Sequence, residues 1–92
     1  MKKKILVIGA SGLIGNAIFH ECLNFKYDVY GTIKRKNKKY FFKKNSNKIF
    51  SNIRIENDKE IVKIIKKIKP NIVINCAAVV KKYIDLYSIK KI

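Results

Sequence analysis

The chain is poor in the residues that build metal centres and disulfide frameworks. Its 92 residues include two cysteines, Cys22 and Cys76, one histidine, His20, and no tryptophan. Two cysteines without a second pair or a histidine cluster fit neither a zinc site nor a disulfide framework. We therefore expect no metal, and a reducing cytoplasm is the simplest compartment for free thiols.

Long apolar segments are absent as well. No stretch approaches the roughly 20 apolar residues that a membrane span requires. Three lysines at positions 2–4 precede Ile5–Ile8 and imitate the start of a secretory signal. No small-residue cleavage site follows, and three phased glycines interrupt the run, so we predict neither a signal peptide nor a membrane partner.

Acidic residues are scarce, at 6 against 22 basic ones, which gives a net charge of +16. Such a charge suggests nucleic acid or an anionic surface. Lysine (20), isoleucine (17) and asparagine (9) make up half of the chain. This bias is expected if the coding DNA is rich in A and T, and it raises the number of lysines throughout the chain and not only at a binding site. A nucleic-acid-binding module at 34–48 is the less favoured alternative, because aromatic rings stack on bases and lysines neutralise phosphates.

The most informative segment is an apolar run that ends directly in a glycine triplet. Ile5–Ile8 is short and rich in β-branched residues, which is typical of a strand buried on both faces. Gly9 then suits a tight turn, Gly12 lets the backbone approach a phosphate, and Gly15 lets a helix lie close on the strand. A pyrophosphate would meet the free N–H groups at the start of that helix, near Leu13 and Ile14.

Strands and helices alternate along the rest of the chain. The predicted elements are a helix from Leu13 to about Phe25, a strand over Tyr27–Ile33, a basic surface loop at 34–48, a strand over Ile49–Ile55, a helix from Asn57 to Pro70 and a buried strand over Ile72–Ile74. Asn57 and Glu60 have capping-box spacing. The last ten residues begin another helix in this interpretation.

This alternation predicts an α/β fold with a Rossmann-type parallel sheet of about four strands in the order 3-2-1-4, flanked by helices. The strand order reverses between strands 1 and 4. The glycine turn and 75–78 should therefore face one another across one cleft. Because 92 residues provide only a small core, we expect one incomplete domain.

Three motifs carry a resemblance to a known family: Gly-Ala-Ser-Gly-Leu-Ile-Gly at 9–15, Val-Tyr-Gly-Thr-Ile-Lys-Arg at 29–35, and Lys-Pro-Asn-Ile-Val-Ile-Asn-Cys-Ala-Ala at 69–78. With these motifs the chain resembles the N-terminal part of an extended short-chain dehydrogenase/reductase. Within that superfamily it is most similar to sugar-nucleotide-binding proteins related to dTDP-4-dehydrorhamnose reductase.

The resemblance implies a nicotinamide dinucleotide cofactor. It places the pyrophosphate on Ser11, Gly12, Leu13 and Ile14 and the adenosine and nicotinamide-ribose side along Cys76, Ala77 and Ala78. The family often has Asp after the third strand to contact adenine, where this chain has Arg54 and Ile55. At the end of the second strand, Thr32, Lys34 and Arg35 suit a ribose 2′-phosphate, so we predict NADP, with NAD as the alternative.

The resemblance does not identify catalytic residues in this chain. The family uses a Tyr with a Lys four residues later, and an earlier Ser or Thr. Tyr87 and Lys91 have this spacing but stand only nine residues beyond Ala78, before any fifth strand, so we assign no catalytic residue. We expect a partial gene product that lacks the catalytic and substrate-binding parts and has no reductase activity alone. A nucleotide sugar would bind only to a full-length form, and a non-catalytic NADP-binding or sensor protein is the alternative function.

Overall fold

Four strands and two helices alternate in the computed structural model, which describes residues 2–35, 42 and 45–77. The elements are β1 (Lys4–Ile8), α1 (Leu13–Asn24), β2 (Asp28–Thr32), β3 (Ile49–Phe50), α2 (Asp58–Ile68) and β4 (Ile72–Asn75). Their bounds agree with the sequence prediction for α1, β2, α2 and β4 to within one or two residues.

The four strands form one parallel sheet in the order β3-β2-β1-β4. Leu6, at the centre of β1, is aligned with Tyr30 of β2 and Val73 of β4. The predicted α/β fold and strand order are therefore confirmed. The carboxyl ends of all four strands lie at one edge of the sheet, where parallel α/β sheets bind ligands.

Strand β1 is buried because its two faces support two different apolar clusters. Val7 packs on the α1 side with Phe19 and Val29, whereas Leu6 packs on the α2 side with Ile64 and Ile68. A strand covered on both faces needs apolar residues at every position. This requirement explains the unbroken run that precedes the glycine turn.

Helix α2 is capped by its own chain at both ends. The side-chain oxygen of Asn57 accepts a hydrogen bond of 3.3 Å from the backbone N–H of Glu60, as the predicted capping spacing requires. Acidic residues occupy the first turn and lysines the last turn, an arrangement that complements the helix dipole. The helix ends at Lys69, which takes a left-handed conformation with φ of 54°.

Two sequence predictions about strands are wrong. The strand predicted at Ile49–Ile55 ends at Phe50, because Asn52 adopts a positive φ of 61° and turns the chain out of the extended conformation. The strand at 72–75 is not buried: Ile72 and Val73 are 43% and 41% exposed, since β4 forms an edge of the described sheet.

The basic loop predicted at 34–48 is only partly within the described residues, which include 34, 35, 42 and 45–48. Phe42 is buried, and the centroid of its ring lies 4.9 Å from the centroid of the Phe19 ring in an edge-on contact. Lys48 forms an ion pair with Asp28 at the start of β2. Ala78, the predicted C-terminal helix and the Tyr87–Lys91 spacing lie outside the described residues.

Candidate functional site

A cavity of about 540 Å³ opens where the carboxyl ends of the strands meet the start of α1. It is bordered by the glycine turn, by the ends of β2 and β4, and by the segment between β3 and α2. The residues that line it are Ile8, Gly9, Ser11, Gly12, Leu13, Ile14, Gly15, Thr32, Lys34, Ile53, Arg54, Ile55, Glu56, Cys76 and Ala77. Eleven of the thirteen residues predicted to bind the cofactor are in this set.

The turn between β1 and α1 is tied to the end of β2. The Gly9 N–H donates to the Thr32 carbonyl at 3.1 Å and to the Thr32 hydroxyl oxygen at 3.3 Å, and the Ala10 N–H donates to the same carbonyl at 2.9 Å. Thr32 is only 1% exposed. Thr32 therefore holds the turn in place through its carbonyl, with its hydroxyl as an additional acceptor, a structural task that the sequence alone does not reveal.

Two of the three glycines are required by packing within the chain. Gly9 has a φ of 80°, and a Cβ there would lie 2.9 Å from the Cβ of Ala77. At Gly15 a Cβ would lie 2.8 Å from the Gly9 carbonyl carbon and 3.1 Å from the Cα of Ala10. Any side chain at Gly15 would therefore push α1 away from the turn.

Gly12 is different, because nothing within the described chain requires a glycine there. Its φ of −73° and ψ of 168° suit any residue, and a Cβ would meet only the Gly9 carbonyl oxygen, at an ordinary 3.6 Å. Yet Gly12 lines the cavity. The space that its missing side chain leaves open belongs to the cavity, where a bound group can approach the backbone closely.

Gly12 is also the N-cap of α1, and no side chain caps this helix. The first N–H groups of a helix have no partner within it, and the first turn of α1 contains no acidic residue. Leu13 and Ile14, in that turn, are 91% and 51% exposed. An uncapped helix start that faces a cavity has the donors and the dipole orientation to bind an anion such as a phosphate.

The other end of the cavity is formed by the segments that follow β2 and β3. Lys34 follows β2, and Arg54 and Glu56 lie between β3 and α2, beside the half-buried Ile55. Sequence reasoning assigned Ile55 to the cavity but not Arg54 or Glu56. The sequence signal for both is the alternation of apolar Ile53 and Ile55 with the charged residues that follow each of them. Arg35 is exposed and does not line the cavity.

The β4 side contributes Cys76 and Ala77, which face the glycine turn as predicted. Burial raises the pKa of the Cys76 thiol above its ordinary value, and the charge of Cys22 acts in the same direction. The Cys76 thiol is therefore protonated near neutral pH and is unsuited to act as a nucleophile. The Cys76 side chain forms a small, uncharged part of the cavity wall.

Within the described ranges, no group of three or more His, Cys, Asp or Glu side chains could hold a metal ion. Among the same residues, no helix has the length and apolar character needed to cross a bilayer. The chemistry that this site offers is therefore that of backbone N–H groups, a helix dipole and basic side chains around an apolar cleft.

Comparison with protein-family models identifies a family that covers most of the chain. Residues 5–86 match the NAD dependent epimerase/dehydratase family. The match includes the described helices and strands, apart from Lys4 at the start of β1, and the whole lining of the cavity. No curated protein matches the chain.

Proposed function

Because the chain belongs to the NAD dependent epimerase/dehydratase family, we propose that its cavity binds NADP, with the pyrophosphate on the N-terminus of α1. The observation that carries this proposal is the pairing of an uncapped helix start with Gly12, whose missing side chain leaves space that the fold itself does not use. A glycine at this point lets the diphosphate reach the backbone N–H donors.

The cofactor would extend across the carboxyl ends of the strands. The adenosine lies toward β2 and β3, and the nicotinamide ribose lies toward β4. The residues that we assign to cofactor binding are Gly9, Ser11, Gly12, Leu13, Ile14, Gly15, Thr32, Lys34, Arg35, Ile55, Cys76, Ala77 and Ala78. When bound, the nicotinamide supplies a site that accepts or donates a hydride.

Selection of NADP over NAD is supported by the charge at the end of β2. An acidic residue there would hydrogen-bond the ribose 2′-hydroxyl of NAD and repel a 2′-phosphate. This chain instead has Lys34 in the cavity wall and Arg35 next to it. Basic side chains form charge-assisted hydrogen bonds with phosphate oxygens.

In the whole enzyme we propose that this cofactor serves an oxidoreductase or epimerase that acts on nucleotide sugars. Support comes from the motifs at 9–15, 29–35 and 69–78, which resemble those of sugar-nucleotide-binding proteins related to dTDP-4-dehydrorhamnose reductase. Residues 1–92 would provide the dinucleotide-binding portion of that enzyme. The two free thiols, Cys22 and Cys76, fit a reducing cytoplasm.

Titration calorimetry of the full chain with NADP and with NAD tests this proposal. We expect both dinucleotides to bind and NADP to bind at least about tenfold more tightly, the equivalent of about 1.4 kcal/mol. Equal affinities would contradict the preference for NADP. Absence of binding by either dinucleotide would contradict the assignment of the cavity.

A further inference from the structure

Two cations reach the cavity from two segments, one after β2 and one after β3, that are hydrogen-bonded to one another. The Ile33 N–H donates to the Phe50 carbonyl at 2.9 Å, and the Ile53 N–H donates to the Ile33 carbonyl at 3.0 Å. Lys34 and Arg54 each directly follow one member of the Ile33–Ile53 pair, and both line the cavity. Backbone hydrogen bonding between distant segments thus brings together two basic residues 20 positions apart.

The backbone at Arg54 is held on both sides. Ile53 and Ile55 pack into the apolar cluster beneath α2, which leaves the exposed Arg54 between them. The Arg54 carbonyl accepts a hydrogen bond of 3.0 Å from the Asn57 N–H and so closes the turn into α2. A residue on a fixed backbone loses less entropy on binding than one on a mobile loop.

Neither cation is neutralised by the described part of the chain. The ion pair found there joins Lys48 to Asp28, and no described acidic side chain pairs with Lys34 or Arg54. Glu56 also lines the cavity but forms no ion pair with either cation. The charged lining therefore has a net positive charge, and both basic groups are available to a bound anion.

We propose that Arg54, together with Lys34, binds the 2′-phosphate of NADP and that Arg54 is a determinant of cofactor specificity. The inference rests on the dinucleotide binding proposed above and extends it to a residue outside the end of β2. A guanidinium offers two parallel donors that match a phosphate, while the Lys34 ammonium adds a point charge from the adjacent segment after β2.

A ligand pair that differs in the 2′-phosphate isolates this interaction. Adenosine 2′,5′-bisphosphate and adenosine 5′-monophosphate are titrated by calorimetry against the wild-type chain and Arg54→Gln. We expect the variant to bind the 2′,5′-bisphosphate about tenfold to a hundredfold more weakly, the range of one charge-assisted hydrogen-bonded contact, and to bind the monophosphate within about twofold of wild type.

Three further variants separate a specific contact from a general loss of charge. Lys66→Gln, on the exposed face of α2 and outside the cavity, removes the same charge and should leave the affinity ratio of the two ligands unchanged. Arg35→Gln should lower that ratio less than Arg54→Gln does. Arg54→Lys should recover only part of it, because lysine keeps the charge but loses the paired donors.

The inference is contradicted if Arg54→Gln leaves the ratio unchanged, if it weakens both ligands equally, or if Arg35→Gln or Lys66→Gln has the larger effect. In each of these cases the binding of NADP and NAD to the wild-type chain still stands as evidence for the proposed function. If the wild-type chain binds neither dinucleotide, the proposed function and this inference both fail.

Discussion

Helices α1 and α2 begin in opposite ways. At the start of α2, the Asn57 side chain accepts a backbone hydrogen bond, and Asp58 and Glu60 place negative charge in the first turn. At the start of α1, Gly12 provides no side chain to cap the helix, and the first turn contains no acid. The capped helix begins beside a closed turn, whereas the uncapped one begins at the wall of the cavity.

The difference shows how one backbone feature serves two purposes. Both helices expose N–H groups that lack partners within the helix. The chain satisfies such groups in α2 with its own residues, which secures the fold. In α1 the chain omits a side-chain cap, at a cost of roughly a few tenths of a kcal/mol for a glycine N-cap, and leaves the donors and the dipole to an anion. The three glycines of the turn divide similarly, because Gly9 and Gly15 serve packing and Gly12 serves the cavity.

Gly15→Ala should have the largest effect on stability. The added Cβ would lie 2.8 Å from the Gly9 carbonyl carbon, and backbone atoms cannot rotate aside as a flexible side chain can. We expect the free energy of unfolding, measured by urea denaturation, to fall by about 3 kcal/mol, the upper range of overpacking costs.

Gly12→Ala is the matched control, since it is the same change three residues earlier in the same turn. Its Cβ makes an ordinary contact, so the loss should stay under about 1 kcal/mol, the size of a weaker N-cap. If the two variants were equally stable, close packing at Gly15 would not be what positions α1.

The features of the fold that were predicted correctly follow from local patterns. The apolar run before Gly9, the glycine spacing and the capping pair Asn57 and Glu60 each fix an element within a few residues of sequence. Right-handed crossovers between such elements then leave few possible strand orders. The observed order β3-β2-β1-β4 is the one that these patterns favour.

The features that were missed depend on contacts between distant residues. The early end of β3 depends on a positive φ at Asn52, which an extended apolar pattern does not reveal. Arg54 enters the cavity wall because Ile53 bonds to Ile33, which lies 20 residues away. Burial of Phe42 likewise depends on its contact with Phe19, from a segment that reads as a polar loop.

Asn57→Ala removes the cap that distinguishes α2 from α1. We expect the free energy of unfolding to fall by about 1 kcal/mol, because the Glu60 N–H loses its acceptor. Dinucleotide affinity, measured by calorimetry below the unfolding transition, should not change. Asn57→Asp keeps the cap and should behave like wild type. An affinity that fell together with stability in Asn57→Ala would show that the two helix starts are not independent.

Lys69→Gly should have the smallest effect and the opposite sign. Lys69 ends α2 in a left-handed conformation that costs a non-glycine residue energy, so glycine should raise the free energy of unfolding by about 0.5 kcal/mol. Lys69→Ala removes the same charge without relieving the strain and is the control. Equal stability of these two variants would mean that the left-handed conformation carries no cost here.

The most direct test of the account is the affinity of Gly12→Val for NADP. Valine fits the extended backbone at Gly12, so the variant should remain folded by circular dichroism and urea denaturation. Its side chain would fill the space before the uncapped start of α1. We expect titration calorimetry to show a loss of at least about tenfold, or about 1.4 kcal/mol. A folded Gly12→Val chain that binds NADP as tightly as wild type would contradict the claim that this helix start holds the pyrophosphate.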